Sequence, residues 1–285
     1  MRSSSYKTYE MCPWLYFLEY VCNIPSESGR AARIGTIIHG VLEESSIARL
    51  KGLPDIDRFK LLAELVAKDG DLRPDDVKKG TRCLEWFQKN SEWDPYSKSI
   101  IGVETKFEIE LEGEKWRTVD ESGKECQLVI TGTVDRTDEI GPDWLHIIDY
   151  KTGARKDFSK PKPTVKTSQD IFMDIQPRMY HKALKHIYGE RYSNFLVTML
   201  YPNDGGPFTI SYNDEDIKVT DNMLQKRFRT ILTNNNPKRN QSWKCKSFCS
   251  HGKNGICDKV FSDFNKYGIE YATMMWAKPA SYRRG

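Results

Sequence analysis

Two aspartates and a lysine in the stretch TGTVDRTDEIGPDWLHIIDYKTG have the types and spacing to do chemistry. Gly141-Pro142-Asp143 is a turn signal between two strand-like runs, so residues symmetric about position 142 should face one another across an antiparallel hairpin. Asp135 and Asp149 are such a pair. Directly opposed side chains have Cβ atoms only about 5 Å apart, where two ionised carboxylates repel and something positive must compensate. Lys151 follows Asp149 by two residues and so projects from the same face, while Tyr150 points to the other. Two carboxylates at this separation can hold Mg²⁺ or Mn²⁺, which suits phosphodiester hydrolysis, with the lysine orienting water or neutralising developing charge. A solvated ion-pair triplet at a sheet edge satisfies the same spacing.

The elements that must position these residues are legible as changes in periodicity. From Tyr6 to about Leu50 the apolar residues recur at helical spacing with a break at Pro25 to Gly29, and residues 56 to 68 and 75 to 90 follow Pro54 and Pro74 as further helices. The texture changes at Ile100. IIGVETKFEIEL, CQLVITGTVDR and WLHIIDY are β-branched, aromatic-rich runs separated by turn residues and predict three consecutive strands. A helix over about 170 to 188, strands at FLVTMLY and PFTISY, and a helix over 214 to 232 complete the pattern, leaving a polar, cysteine-bearing remainder from Asn234. The expected organisation is an N-terminal helical region over 1–95, an α/β core over 96–213, and a C-terminal helix with a cysteine cluster over 214–285.

Composition bounds the partners. The 285 residues carry 44 Lys plus Arg against 40 Asp plus Glu, a net charge of +4, too even for nucleic-acid binding by bulk charge alone. No apolar run approaches the roughly 18 residues of a membrane helix and the start lacks a signal-peptide core, which predicts an intracellular, cytoplasmic protein with no membrane partner. Seven unevenly placed cysteines argue against a disulfide framework.

With these residues in view, the sequence resembles the RecB-like branch of the PD-(D/E)XK nuclease superfamily, in which Gly-x-x-Asp-Arg precedes a strand ending in Asp-Tyr-Lys-Thr-Gly; here those are Gly132, Asp135 and Arg136, then Asp149 to Gly153. The resemblance implies a restriction-endonuclease-like mixed central sheet flanked by helices. It puts Asp135 and Asp149 on the metal and Lys151 at the scissile phosphate. Gly35 and His39 are similar to the family's Gly-x-x-x-His helix, whose imidazole is a metal ligand, and Gln176 and Tyr180 to its Gln-x-x-x-Tyr motif. An imidazole ligand suits Mn²⁺ better than Mg²⁺. Pro177 predicts that its helix begins there, a departure from the motif. Glu43, one turn beyond His39, is placed to orient the imidazole or to be solvated; Glu104 sits where the family often has an acid, and strand alternation equally makes it an outward polar residue.

Cys245, Cys249 and Cys257 lie close together in WKCKSFCSHGKNGICDK, and Cys12 is the natural fourth ligand. Iron-sulfur members of the branch, among them AddB-type helicase-nucleases and CRISPR-adaptation nucleases, pair one cysteine before the core with three after it, which implies a structural 4Fe-4S cluster. The gaps of three and seven residues between the last three cysteines are wider than the family's, and a Zn²⁺ site, with His251 in place of one thiolate, stays open. Cys22, Cys83 and Cys126 fit no ligand spacing and read as packed thiols.

Lys156, Lys160, Lys162 and Lys166, on a loop with Pro161 and Pro163, put positive charge beside the acidic hairpin; Lys238, Arg239, Lys244 and Lys246 adjoin the cysteines, and Trp243, Phe248 and Tyr282 are aromatic neighbours able to stack bases or simply to pack. The function expected is a metal-dependent DNA exonuclease with DNA as its partner and any helicase or recombination partner on a separate chain. The rival is a non-catalytic DNA-binding or scaffold subunit that keeps the fold; the sequence is silent on oligomeric state.

Overall fold

A computed structural model describes residues 1–120, 122–158 and 162–279. Lys160, Pro161, Tyr282 and the basic end SYRRG lie outside the described residues. The chain divides into two compact units, one of residues 28–109 and 130–220, the other of residues 1–27, 110–129 and 221–285.

The first unit is built on a five-stranded sheet of order β1-β4-β5-β8-β9, with β1 Ile100–Glu110, β4 Val129–Gly141, β5 Trp144–Tyr150, β8 Asn194–Tyr201 and β9 Gly206–Ile210. β4 and β5 pair antiparallel with Arg136 opposite Ile148 and Thr137 opposite Ile147, the register expected from the Gly-Pro-Asp turn. β5 and β8 pair parallel, Asp149 opposite Met199, and β8 and β9 pair antiparallel. The sheet is therefore mixed. β5 is buried at every position after Trp144, which is why WLHIIDY reads as an apolar run rather than an alternation.

Helices cover both faces. α3 (Arg30–Leu50), α4 (Arg58–Lys68) and α5 (Pro74–Lys89) present Ile34, Ile38, Leu42, Leu62, Leu84 and Phe87 to Ile148, Tyr150 and Leu200. The opposite face, carrying Phe195, packs under α7 (Ile175–Tyr188), where the His181 ring lies edge-on to Phe195. α7 follows a short α6 (Ser168–Phe172), so the helix predicted over 170–188 is broken. Asp174 causes the break by capping α7: its carboxylate accepts from the Gln176 N–H. The helix starts at Ile175 rather than at Pro177, which sits within the first turn, where a missing N–H costs nothing. The basic loop after Lys151 holds a small hairpin of β6 (Lys156–Asp157) and β7 (Thr164–Val165).

In the second unit, α1 (Ser3–Met11), α2 (Pro13–Tyr16) and a π-helical turn at Phe17–Val21 pack Trp14, Phe17, Leu18 and Cys22 against Val260 and Ala272. Those last two belong to a helix that the sequence pattern leaves as polar remainder. β2 (Arg117–Val119) and β3 (Glu125–Gln127) form a hairpin, and α8 (Asp214–Leu232), of which residues 221–232 lie in this unit, precedes the short α9 (Lys244–Ser247) and α10 (Ser250–Lys253) and the long α11 (Ile256–Trp276). Gly268, at φ +87°, kinks α11 and interrupts its apolar periodicity. Among the described residues no helix is long and apolar enough to cross a membrane.

Candidate active site

Three elements of the sheet unit, α3, β1 and α7, converge on the acidic hairpin of β4 and β5. Asp135 comes from β4 and Asp149 from the end of β5, one residue beyond the pair Arg136 and Ile148. The Lys151 N–H continues the ladder by donating to the Leu200 carbonyl at 2.7 Å. The Tyr150 N–H donates to Asp135 Oδ2 at 2.7 Å, so the first carboxylate is fixed by the backbone of the second carboxylate's strand.

The second carboxylate, the ammonium and the glutamine form a closed set. Lys151 Nζ is ion-paired with Asp149 Oδ2 and donates to Gln176 Oε1 at 3.1 Å. Gln176 Nε2 donates to Asp149 Oδ1 at 2.9 Å and to the Tyr180 hydroxyl at 2.9 Å. Gln176 thus offers its oxygen to the cation and its nitrogen to the anion, and its place in the first turn of α7 directs it there. Burial pushes the Asp149 carboxyl up, with Lys151 opposing and Asp135 adding to the rise. Burial would lower Lys151, but Asp149 and Asp135 outweigh it and hold the ammonium above its ordinary range. Burial and the two aspartates push the Tyr180 hydroxyl well up, so it stays protonated.

His39, on α3, places Nδ1 3.4 Å from Asp135 Oδ2 and its ring edge-on to Tyr150. Burial would lower its pKa, but Asp135 and then Asp149 raise it overall. Gly35, one turn earlier, is needed for this approach: a Cβ there would lie 3.0 Å from Thr152 Oγ1, so the motif glycine lets α3 sit against the end of the lysine strand. Gly132 does the same inside the sheet, where a Cβ would lie 2.5 Å from the Phe107 ring that packs edge-on to Tyr180.

Glu104 is the residue that simple alternation misplaces. Burial in β1 alternates cleanly from Lys106 to Glu110 and is lost over residues 103 to 105, where Glu104 takes φ +46°, a left-handed conformation uncommon for a glutamate. The irregularity turns its carboxylate inward. Among the described residues, His39, Glu104 and Asp135 each offer a ligand atom within 4.8 Å of the others. Burial, then Asp135 and Glu43, push the Glu104 carboxyl up to about 7, the signature of acids crowded without enough compensating charge. One imidazole and two carboxylates fit a divalent ion with oxygen and nitrogen preference, Mn²⁺ more readily than Mg²⁺.

The four candidate ligand cysteines occupy the other unit. Cys12, Cys245, Cys249 and Cys257 all line one cavity of about 360 Å³ with Arg239, Asn240 and Lys244. Asn240 links two of them, its N–H donating to Cys12 Sγ and its carbonyl accepting from Cys245 Sγ. Burial pushes the Cys257 thiol up to about 11, with Arg239 opposing, and raises Cys249 as well. His251 is buried elsewhere, with Nε2 3.4 Å from Ser26 Oγ and 3.9 Å from Glu19, and does not line the cavity. Cys22 and Cys83 are fully buried packed thiols. Of the basic loop, Lys166 pairs with Asp174 at 3.5 Å; of the second cluster, Arg239 pairs with Asp258.

A search of curated proteins returns no match. Among solved structures, a protein from Eubacterium rectale named "Putative exonuclease" is 14% identical, with a TM-score of 0.52 over 81% of this chain and 79% of its own. The structure of SSO0001 is also 14% identical, with a TM-score of 0.32 over 75% of this chain and 82% of that one. The first likeness speaks for the fold alone. A sequence model of the PD-(D/E)XK nuclease superfamily matches residues 3–257, spanning His39, Asp135, Asp149, Lys151 and Gln176. The acidic hairpin, its lysine and the mixed sheet that holds them are therefore those of a member: this chain belongs to the PD-(D/E)XK nuclease superfamily.

Proposed function

We propose that this protein is a metal-dependent deoxyribonuclease of the RecB-like branch, an exonuclease acting on single-stranded or end-exposed DNA in recombination, repair or replication. The observation that carries this reading is the convergence of His39, Glu104 and Asp135 beside the closed Asp149, Lys151 and Gln176 set. His39, Asp135 and Asp149, joined by Glu104, would hold Mg²⁺ or Mn²⁺, which when bound supplies Lewis-acid activation of the phosphate and of water. Lys151 Nζ donates to a non-bridging phosphate oxygen and offsets the charge that grows there. Gln176 keeps that ammonium beside Asp149 and aimed, and Tyr180 fixes the Gln176 amide. A purely DNA-binding subunit has no use for crowded carboxylates facing a polyanion, which weighs against the rival reading.

The experiment is digestion of end-labelled single- and double-stranded DNA with Mn²⁺, Mg²⁺ or chelator, by the wild type and by Lys151→Ala. Metal-dependent shortening of the single strand, lost in the variant while DNA binding persists, is the expected result. Turnover retained by Lys151→Ala would overturn the mechanism, and binding without cleavage in the wild type would favour the scaffold reading.

We infer further that Cys12, Cys245, Cys249 and Cys257, which line one cavity, hold a structural 4Fe-4S cluster. His251 does not line that cavity, so a zinc site that uses it in place of one thiolate is not favoured. Iron and acid-labile sulfide in anaerobically purified protein test the cluster; stoichiometric zinc without sulfide would contradict it. Such a cluster would tie α2 to α9 and α11. Any helicase partner would be a separate chain.

A further inference from the structure

A second cleft of the sheet unit lies alongside the lysine strand and is used by none of the residues above. Its cavity of about 470 Å³, enough for a nucleotide, is walled on one side by α5 and on the other by the turn between β8 and β9. Lys79, Arg82, Trp86 and Lys89 follow one another on α5 at intervals of three, four and three residues and so share one face. All four line the cleft. Helical rise spreads the three cations over about 15 Å. Among the described residues none of the three has a carboxylate within salt-bridge distance, although Glu85 and Asp204 also line the cleft.

The opposite wall is fixed rather than loose. Asn203 Nδ2 donates to the Lys79 carbonyl at 3.4 Å, holding the turn on the helix, and a Cβ at Gly206, which takes φ +79°, would lie 3.8 Å from the Trp86 ring. Asp204 is already engaged, accepting the Arg155 N–H at 2.6 Å, while the Arg155 guanidinium stacks over Phe208 at 4.5 Å. Ala154, three residues beyond Lys151, lines the same cleft and links it along the chain to the acidic site.

We propose that this cleft holds the unpaired strand of a DNA substrate, with backbone phosphates on Lys79, Arg82 and Lys89 and a base against Trp86. The inference deepens the nuclease reading and rests on it for the choice of DNA as ligand. Three unpaired cations on one rigid face track a phosphate backbone without reading sequence. An indole lining a cleft of nucleotide size offers a stacking surface that only an unpaired base can reach. A duplex keeps its bases stacked on each other and gains only the charge contacts.

The test is fluorescence anisotropy of a labelled single-stranded oligonucleotide and of a blunt duplex, on the full chain in chelator so that nothing is cleaved, at several salt concentrations. The variants are Lys79→Ala/Arg82→Ala/Lys89→Ala and, separately, Trp86→Leu, which retains an apolar side chain at that half-buried position. The triple variant should bind the single strand on the order of tenfold or more weakly, with the slope of log affinity against log salt reduced by about 2. Trp86→Leu should weaken single-strand binding and leave duplex binding and the salt slope unchanged. Wild-type affinity and slope in the triple variant would overturn the proposal, as would equal weakening of duplex and single strand by Trp86→Leu. Hydrolysis of a small chromogenic phosphodiester, too short to span both sites, reports on the nuclease reading alone, so failure of either claim is distinguishable from failure of the other.

Discussion

Asp135 accepts a hydrogen bond from the backbone N–H of Tyr150 at 2.7 Å, so the carboxylate of one hairpin strand is locked to the residue between Asp149 and Lys151 on the other. An asparagine can keep that bond through its side-chain oxygen and lose only the charge. Asp135→Asn should therefore fold normally, with a melting temperature equal to or above the wild type's because repulsion with Glu104 and Asp149 is relieved, while cleavage falls by about 10²–10³-fold. Calorimetry beside a DNA digestion series checks both halves.

Gln176 bridges the charges of Lys151 and Asp149 without contributing one. Removing it in Gln176→Ala frees the ammonium to swing and should cost about 10–100-fold in turnover with little change in stability, as expected of a residue that orients others. Steady-state rates at saturating metal are the measurement. An unchanged rate would mean that Lys151 is held by Asp149 alone.

Arg178 is 1% exposed and, among the described residues, has no carboxylate partner. Its guanidinium lies over both the Phe172 and Tyr212 rings, 4.9 Å from each, and donates to the Phe172 and Asp216 carbonyls and to Thr220. It fastens the break between α6 and α7, just before the cap that sets Gln176. Arg178→Met should destabilise the fold by about 2–4 kcal/mol through stranded carbonyls and lost stacking. Arg178→Lys should recover only part of this, since an ammonium cannot span the same acceptors. Chemical denaturation of the three proteins decides it.

Two buried histidines outside the acidic site make stability fall with acid. Burial, then Arg136 and Lys98, push His146 down to about 4; burial and Lys185 do the same to His181, also to about 4. His146 Nε2 lies 2.7 Å from Thr198 Oγ1. Between roughly pH 6.5 and 4 the unfolded chain binds protons that the folded chain refuses, so this stability is full above that window and is lost as pH drops through it. Each histidine should cost on the order of 2 kcal/mol by pH 5. Unfolding midpoints at pH 7.5 and 5 should converge in His146→Asn/His181→Phe relative to the wild type.

The hairpin register is legible because Gly141-Pro142-Asp143 is a strong local signal, and β5 because continuous burial leaves an apolar run. The parallel partnership of β5 and β8 joins segments separated by α6 and α7, and no local signal encodes it. Glu104 is obscured because β1 breaks its two-residue period at the site, a left-handed residue being invisible to a rule that assumes a regular strand. Helix α11 is hidden by Gly268 and by the cysteines, whose spacing gives its start the look of a loop. CQLVITGTVDR reads as one strand yet divides at Leu128, whose N–H donates to Trp116, because its first residues pair in the small hairpin.

In the proposed nuclease, a divalent ion works at His39, Glu104 and the two aspartates. Cleavage of a labelled single strand as a function of Mn²⁺ concentration, in the wild type and in Glu104→Gln, tests it most directly. The expected result is no cleavage without metal, saturation in the wild type, and a midpoint about 10–100-fold higher in the variant, whose amide coordinates less strongly. Cleavage persisting in chelator, or superimposable curves for the two proteins, would contradict it.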